Sequence, residues 1–271
     1  MEYFYAKNAV IYPYILCGGE KIVNAIKYNL TCRKHGGNNM PVSLKLSHIT
    51  KSFQRGKKHV LKDISMEAAG GECVGILGTN GCGKSTLLSV LAGIQPPDSG
   101  SFCLNGQELF AGRGKKKPAS AIGYVPQECP LMEELNALDN LRLWYSGSPL
   151  KLEEELENGF LAMLGIPDFL KVSVSKMSGG MKKRLSIGCA VANNPQVLLL
   201  DEPGAALDLI CKERIEVYLK NFRRQGNIIL IATHEEREIS FCDRLFILRE
   251  GMLVPYDYDG NIHHLAGQLL L

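Results

Sequence analysis

Residues 72–86 read ECVGILGTNGCGKST. Glu72 to Leu77 is a mostly apolar run that ends in glycine-rich sequence, the pattern of a parallel strand buried on both faces. Gly78 to Ser85 then matches G-x-x-x-x-G-K-[ST], and a helix is predicted from Lys84 to about Gly93. Glycines at these spacings let successive backbone N–H groups turn inward as an anion nest, and the helix N-terminus adds its dipole. Gly78, Thr79, Asn80, Gly81, Cys82 and Gly83 would form the cradle. Lys84 would reach the β- and γ-phosphates, the Ser85 hydroxyl would bind Mg²⁺, and Thr86 would support the phosphates from the first turn. This loop implies a nucleoside triphosphate and leaves the task open. Cys82 reads as a small side chain filling a variable position ahead of a redox brake.

Working outward, Val42, Leu44 and Leu46 alternate as in an edge-type strand, and Leu61 to Met66 reads as another. Residues 94–127 hold short strands around a basic turn, GRGKKKP. Residues 131–194 read mainly as helices, including Asn136 to Trp144 and Leu152 to Leu164. Alternation then resumes with strand Val197–Leu200, helix Ile210–Arg223, strand Ile228–Ala232 and strand Arg244–Leu248. Strands alternating with helices predict an α/β fold with a mostly parallel sheet and a helical insertion. No internal repeat is visible.

Two further stretches carry chemistry. Val197 to Leu200 is a buried strand ending in Asp201 and Glu202, at the sheet end where open α/β folds place their ligands. Adjacent side chains on a strand point in different directions, so the acids can take separate roles. Asp201 would hold Mg²⁺ through water, and Glu202 would polarise an attacking water. His234 follows the apolar strand ending at Ala232, where it could reach a γ-phosphate. Taken alone, a histidine there is more often structural. A third stretch, KMSGGMKKRL at residues 176–185, sets Lys182, Lys183 and Arg184 in the first turn of a predicted helix, an end that disfavours cations.

Bulk properties narrow the setting. The chain has 271 residues and a formal net charge of +3, too small for a general nucleic-acid binder. The run Arg113 to Lys117 lacks the interleaved aromatics of a stacking platform, so no nucleic acid is expected. Nine cysteines without a CxxC pair argue against a disulfide framework or zinc site and fit a reducing cytosol. No apolar stretch is long enough to span a bilayer. Residues 1–39 hold many tyrosines and no clear period. Met40 is read as the native start, with 1–39 an extension and 261–271 a C-terminal tail.

The order of the phosphate loop, Tyr124-Val125-Pro126-Gln127, Met177-Ser178-Gly179-Gly180-Met181, the acidic strand and the histidine resembles the ATP-binding cassette (ABC) ATPases. The resemblance covers roughly residues 43–254. It implies a P-loop NTPase fold with an antiparallel β-subdomain and a helical subdomain inserted at about 128–190. It further implies two such domains closing head to tail around two Mg²⁺–ATP. Ser178, Gly179 and Gly180 of one subunit would then contact the γ-phosphate held by Lys84 of the other. Gln127 would bind Mg²⁺ or the attacking water, and Phe53 would stack on adenine. Gly204 to Asp208 occupy the place of the family's D-loop. The chain departs from the pattern at Met181, commonly Gln, and at Ala205, commonly Ser.

The expected role is the ATP-hydrolysing subunit of a transporter on the cytoplasmic face of the cell membrane, leaning to export. Its partners would be a polytopic permease and a second cassette subunit, identical or related. The alternative class is a soluble non-transport cassette, of the iron–sulfur assembly or translation-factor type.

Overall fold

The computed structural model describes residues 42–270 except 55, 112–114 and 117–120. The expected start at Met40, and most of the basic turn, lie outside these residues. The strands are β1 (Ser43–Phe53), β2 (Lys58–Ala69), β3 (Cys73–Leu77), β4 (Ser99–Leu104), β5 (Gln107–Glu108), β6 (Phe110–Ala111), β7 (Lys115–Lys116), β8 (Ile122–Val125), β9 (Val197–Asp201), β10 (Ile228–Ala232), β11 (Arg244–Arg249) and β12 (Met252–Tyr256). The helices are α1 (Lys84–Leu91), α2 (Ala137–Tyr145), α3 (Leu152–Glu157), α4 (Phe160–Met163), α5 (Gly179–Ala190), α6 (Leu209–Arg224), α7 (Glu236–Phe241) and α8 (Ile262–Leu270).

One ten-stranded sheet runs in the order β5-β4-β1-β2-β12-β11-β3-β10-β9-β8. Its half from β11 to β8 is parallel, and its other end, from β5 to β2, is antiparallel. This agrees with the fold that the resemblance implies, with the helical segment from α2 to α5 inserted between β8 and β9.

Every residue of β3, β9 and β10 is buried. The reason is visible in how they divide. Leu198, Leu200, Ile229 and Ile231 belong to an apolar core shared with α2, α4, α5 and α6. Val197, Leu199, Ile228 and Leu230 belong to a second core with α1 and the antiparallel strands. A sheet covered on both faces leaves such strands apolar up to their last residue, where Asp201 ends β9.

Two expectations change. The stretch Val42–Leu46 is not at an edge, because β1 pairs with β2 on one side and β4 on the other. Its alternation reports one buried face, which central antiparallel strands share with edge strands. The helix expected over Leu152–Leu164 is two helices, α3 and α4, split at Asn158-Gly159. There the backbone N–H of Phe160 donates instead to the Glu155 carboxylate, at 2.9 Å. Within the expected C-terminal tail, Ile262–Leu270 form α8, whose Leu265 packs with Leu77, Leu245 and Ile247.

Candidate functional site

The parallel register brings the chemistry-bearing segments to one end of the sheet. β3 and β9 flank β10, with Ala232 paired to Asp201 on β9 and to Ile76 on β3. Glu202 and His234 therefore leave neighbouring strands together, and the Glu202 N–H donates to the Ala232 carbonyl at 2.9 Å. Asn80, Gly81, Gly83, Lys84, Ser85 and Thr86 line a cavity of about 430 Å³ with Gln127, Asp201, Glu202 and His234.

The loop from β3 to α1 owes its shape to glycine. Gly83 has φ 117°, a region open chiefly to glycine, and a Cβ there would lie 2.8 Å from a Val60 methyl. Lys84 is buried, and its ammonium donates to the carbonyls of Gly78 (2.7 Å) and Thr79 (3.2 Å). An ammonium has three protons, so one remains for an anion. Cys82 packs at the edge of the second core.

Asp201 is 2 % exposed, and its Oδ2 has no hydrogen-bond partner among the described residues. Burial pushes its carboxyl above the usual range, opposed by a bond from the Ser85 side chain. A buried, half-satisfied carboxylate beside a hydroxyl is an all-oxygen donor pair, which fits a hard divalent cation.

Glu202 is held on both oxygens. Gln127 Nε2 donates to Oε2 at 3.3 Å, and His234 Nδ1 lies 3.3 Å from Oε1. Its φ of 49° is left-handed for a residue with a side chain, a strain worth about 1–3 kcal/mol that persists only where surroundings enforce it.

Ser178, Gly179 and Gly180 do not line this cavity. Ser178 caps α5, its Oγ accepting from the Met181 N–H at 3.3 Å, and the glycines lie against Ala206, where a Cβ on residue 180 would meet the carbonyl at 2.9 Å. Phe53 also lies off the cavity lining, half-buried at the end of β1, with the Lys51 ammonium 5.7 Å from its ring centre. The cations of α5 each have a partner. Lys182 pairs with Glu133 at 3.3 Å. Arg184 donates to the Leu164 carbonyl at 3.1 Å and stacks over Phe169. Lys183 turns inward, and burial pushes its ammonium below the usual lysine range.

Known proteins are similar to this chain. The family described as ABC transporter matches residues 61–205. The chain belongs to the ATP-binding cassette family. As such it is an ATPase subunit of the ABC transporter class. The ABC transporter ATP-binding protein YknY of Bacillus subtilis (strain 168) is 33% identical over 219 residues, covering 78% of this chain and 95% of that protein. The taurine import ATP-binding protein TauB of Pseudomonas aeruginosa (strain UCBPP-PA14) is 38% identical, covering 75% of this chain and 77% of its own length. The Nod factor export ATP-binding protein I of Sinorhizobium fredii (strain NBRC 101917 / NGR234) is 34% identical, covering 84% and 65%. Among solved structures, a dimeric post-hydrolysis state of the cassette MJ0796, bound to ADP and Pi, superposes with TM-score 0.70 at 27% identity. It covers 79% of this chain and 98% of that one.

One acidic cluster behind the cassette's site went unmarked in the sequence. Glu238 and Glu235 on the α7 side both approach Gly204, whose Cβ, were there one, would lie 2.6 Å from Glu238 Oε1. Glu235 is paired to Lys212 at 2.7 Å. Burial raises the Glu238 carboxyl above its ordinary value near 4.5, helped by Glu235 and opposed by bonds from Thr233 and Gly204 and by the Lys212 charge. Between that ordinary value and the raised one, the folded state holds a proton that the unfolded chain releases. Stability therefore falls as pH rises through this window. Thermal melts at pH 5 and pH 7 should show a smaller difference for Glu238→Gln than for the parent, and an equal difference would refute the assignment.

Proposed function

We propose that this cassette hydrolyses ATP to drive a separate polytopic permease from the cytoplasmic face of the cell membrane, in the direction of export. The observation that carries the reading is the Glu202 carboxylate, flanked by Gln127 and His234 in the cavity that Lys84, Ser85 and Asp201 also line. Lys84 and the N–H groups of Gly81 to Ser85 bind the β- and γ-phosphates. Ser85 and Asp201 would hold Mg²⁺, which would neutralise phosphate charge when bound. Glu202 orients and polarises the attacking water. Gln127 and His234 fix the carboxylate and donate toward that water and the γ-phosphate. Phe53, half-buried at the end of β1, offers an aromatic face for adenine.

Ser178 and Gly179, exposed at the start of α5, and the half-buried Gly180 lie away from the cavity and complete the site of a second subunit, identical or related. Two subunits thus close head to tail around two nucleotides. The permease docks over the helical segment, where Met132, Leu143 and Trp144 are 55%, 51% and 43% exposed. Large apolar side chains left exposed on one segment mark an interaction surface. No helix among the described residues is long and apolar enough to cross a membrane, and the proposed permease supplies a spanning part. The Nod factor export relative supports export and the taurine import relative supports import, and transport assays with the recovered permease distinguish the two directions.

Affinity capture of the tagged chain from detergent-solubilised membranes should recover one polytopic membrane protein at fixed ratio. Trp144→Glu should lose that protein while keeping ATPase activity in the isolated chain. Recovery of active chain with no membrane protein would refute the transport role and favour a soluble cassette.

A further inference from the structure

Lys183 is 3 % exposed. Burying an ammonium costs several kcal/mol unless its protons are well placed. Its ordinary partner, a carboxylate, is not what it bonds here. The Nζ donates to two backbone carbonyls, Pro126 at 3.1 Å and Asp201 at 3.1 Å. Each carbonyl belongs to the peptide unit just before a residue of the site. Pro126 precedes Gln127, and Asp201 precedes Glu202. Because a peptide unit is rigid and planar, holding its oxygen also fixes the nitrogen and Cα of the next residue. One ammonium therefore sets the spacing between the backbones of Gln127 and Glu202, whose side chains meet at 3.3 Å.

We propose that Lys183 is a positioning residue for ATP hydrolysis: it clamps the peptides before Gln127 and Glu202, so that the carboxylate faces the attacking water. The inference rests on the ATPase reading of the site. Glu202 needs such a clamp, because its left-handed φ of 49° must be enforced from outside. The neighbouring cations have other work, Lys182 on Glu133 and Arg184 on the Leu164 carbonyl. The clamp sits on α5, five residues past Ser178, so the helix that presents Ser178, Gly179 and Gly180 also holds the two catalytic peptides of its own subunit.

The test compares steady-state Mg²⁺–ATP turnover, ATP affinity and thermal midpoint for the full chain and three variants. Lys183→Met keeps the length and apolar stem but removes the donor shared by the Pro126 and Asp201 carbonyls. Its kcat should fall roughly tenfold or more, because the carboxylate and its water lose their fixed spacing. Its KM and ATP Kd should stay within about threefold, since the phosphate contacts are elsewhere. Lys183→Arg, which restores donors, should recover most of kcat. Lys182→Met removes the same charge one residue away and should stay within about twofold.

A Lys183→Met kcat within twofold of the parent would overturn the clamp. So would kcat and ATP affinity falling together in proportion to lost folded protein, the mark of a merely structural residue. If Lys183→Met does not fold, Lys183→Gln replaces it, its amide stopping one atom short of the carbonyls, and is judged by the same split. Parent protein without turnover would overturn the ATPase reading and the clamp together, whereas parent turnover with an unaffected variant overturns the clamp alone.

Discussion

Glu202→Gln is expected to cut ATP turnover by about 10²–10⁴-fold, the usual contribution of a positioned general base, while leaving ATP binding intact. The side chain keeps its size and its place between Gln127 and His234. It loses the negative charge that draws the proton from water. The variant would therefore still close the site but not complete the reaction, and ATP should accumulate in a dimer. Size-exclusion chromatography with Mg²⁺–ATP should show that dimer for the variant and only transiently for the parent. Turnover within a few-fold of the parent would remove Glu202 from the chemistry and leave the cavity without its base.

The second large effect is on binding. Lys84→Ala should weaken ATP by roughly 30-fold to a few thousand-fold, from the loss of a charge pair worth about 2–5 kcal/mol when one partner is truncated. The buried Lys84 ammonium already meets the carbonyls of Gly78 and Thr79, so it is pre-oriented toward whatever the loop holds. Calorimetric titration with Mg²⁺–ATP reads the loss directly. A Kd changed less than threefold would mean that the loop's N–H groups alone hold the phosphates. Taken together, the two variants separate the parts, because one should bind without turning over and the other should fail to bind.

How much of this was legible follows from which forces act locally. The phosphate loop announces itself because glycines at fixed spacings after an apolar strand serve a backbone shape, and Gly83 at φ 117° shows that need. The runs 197–200 and 228–232 are readable because burial on two faces removes every polar position from a strand. Alternation at Val42–Leu46 suggests an edge, yet β1 is flanked by β2 and β4. The pattern records which face is buried and is silent about neighbours in the hydrogen-bonding direction. The helix over 152–164 breaks at Asn158-Gly159 because a side chain outside the pattern, Glu155, takes the Phe160 N–H.

Lys182, Lys183 and Arg184 mark the boundary most clearly. As letters they are three cations at an unfavourable helix end, and nothing in their order distinguishes them. The sequence by itself determined the cassette, the phosphate loop and the acidic strand end, because those depend on residues adjacent in the chain. Only the tertiary structure decided that the middle cation turns inward, since its two carbonyl partners lie 57 and 18 residues away. A backbone carbonyl is present at every position, so a lysine seeking two of them leaves no trace in residue type or period. Which carbonyls it finds is set by the sheet order that brings β8 beside β9, and that order exists only once the chain has folded.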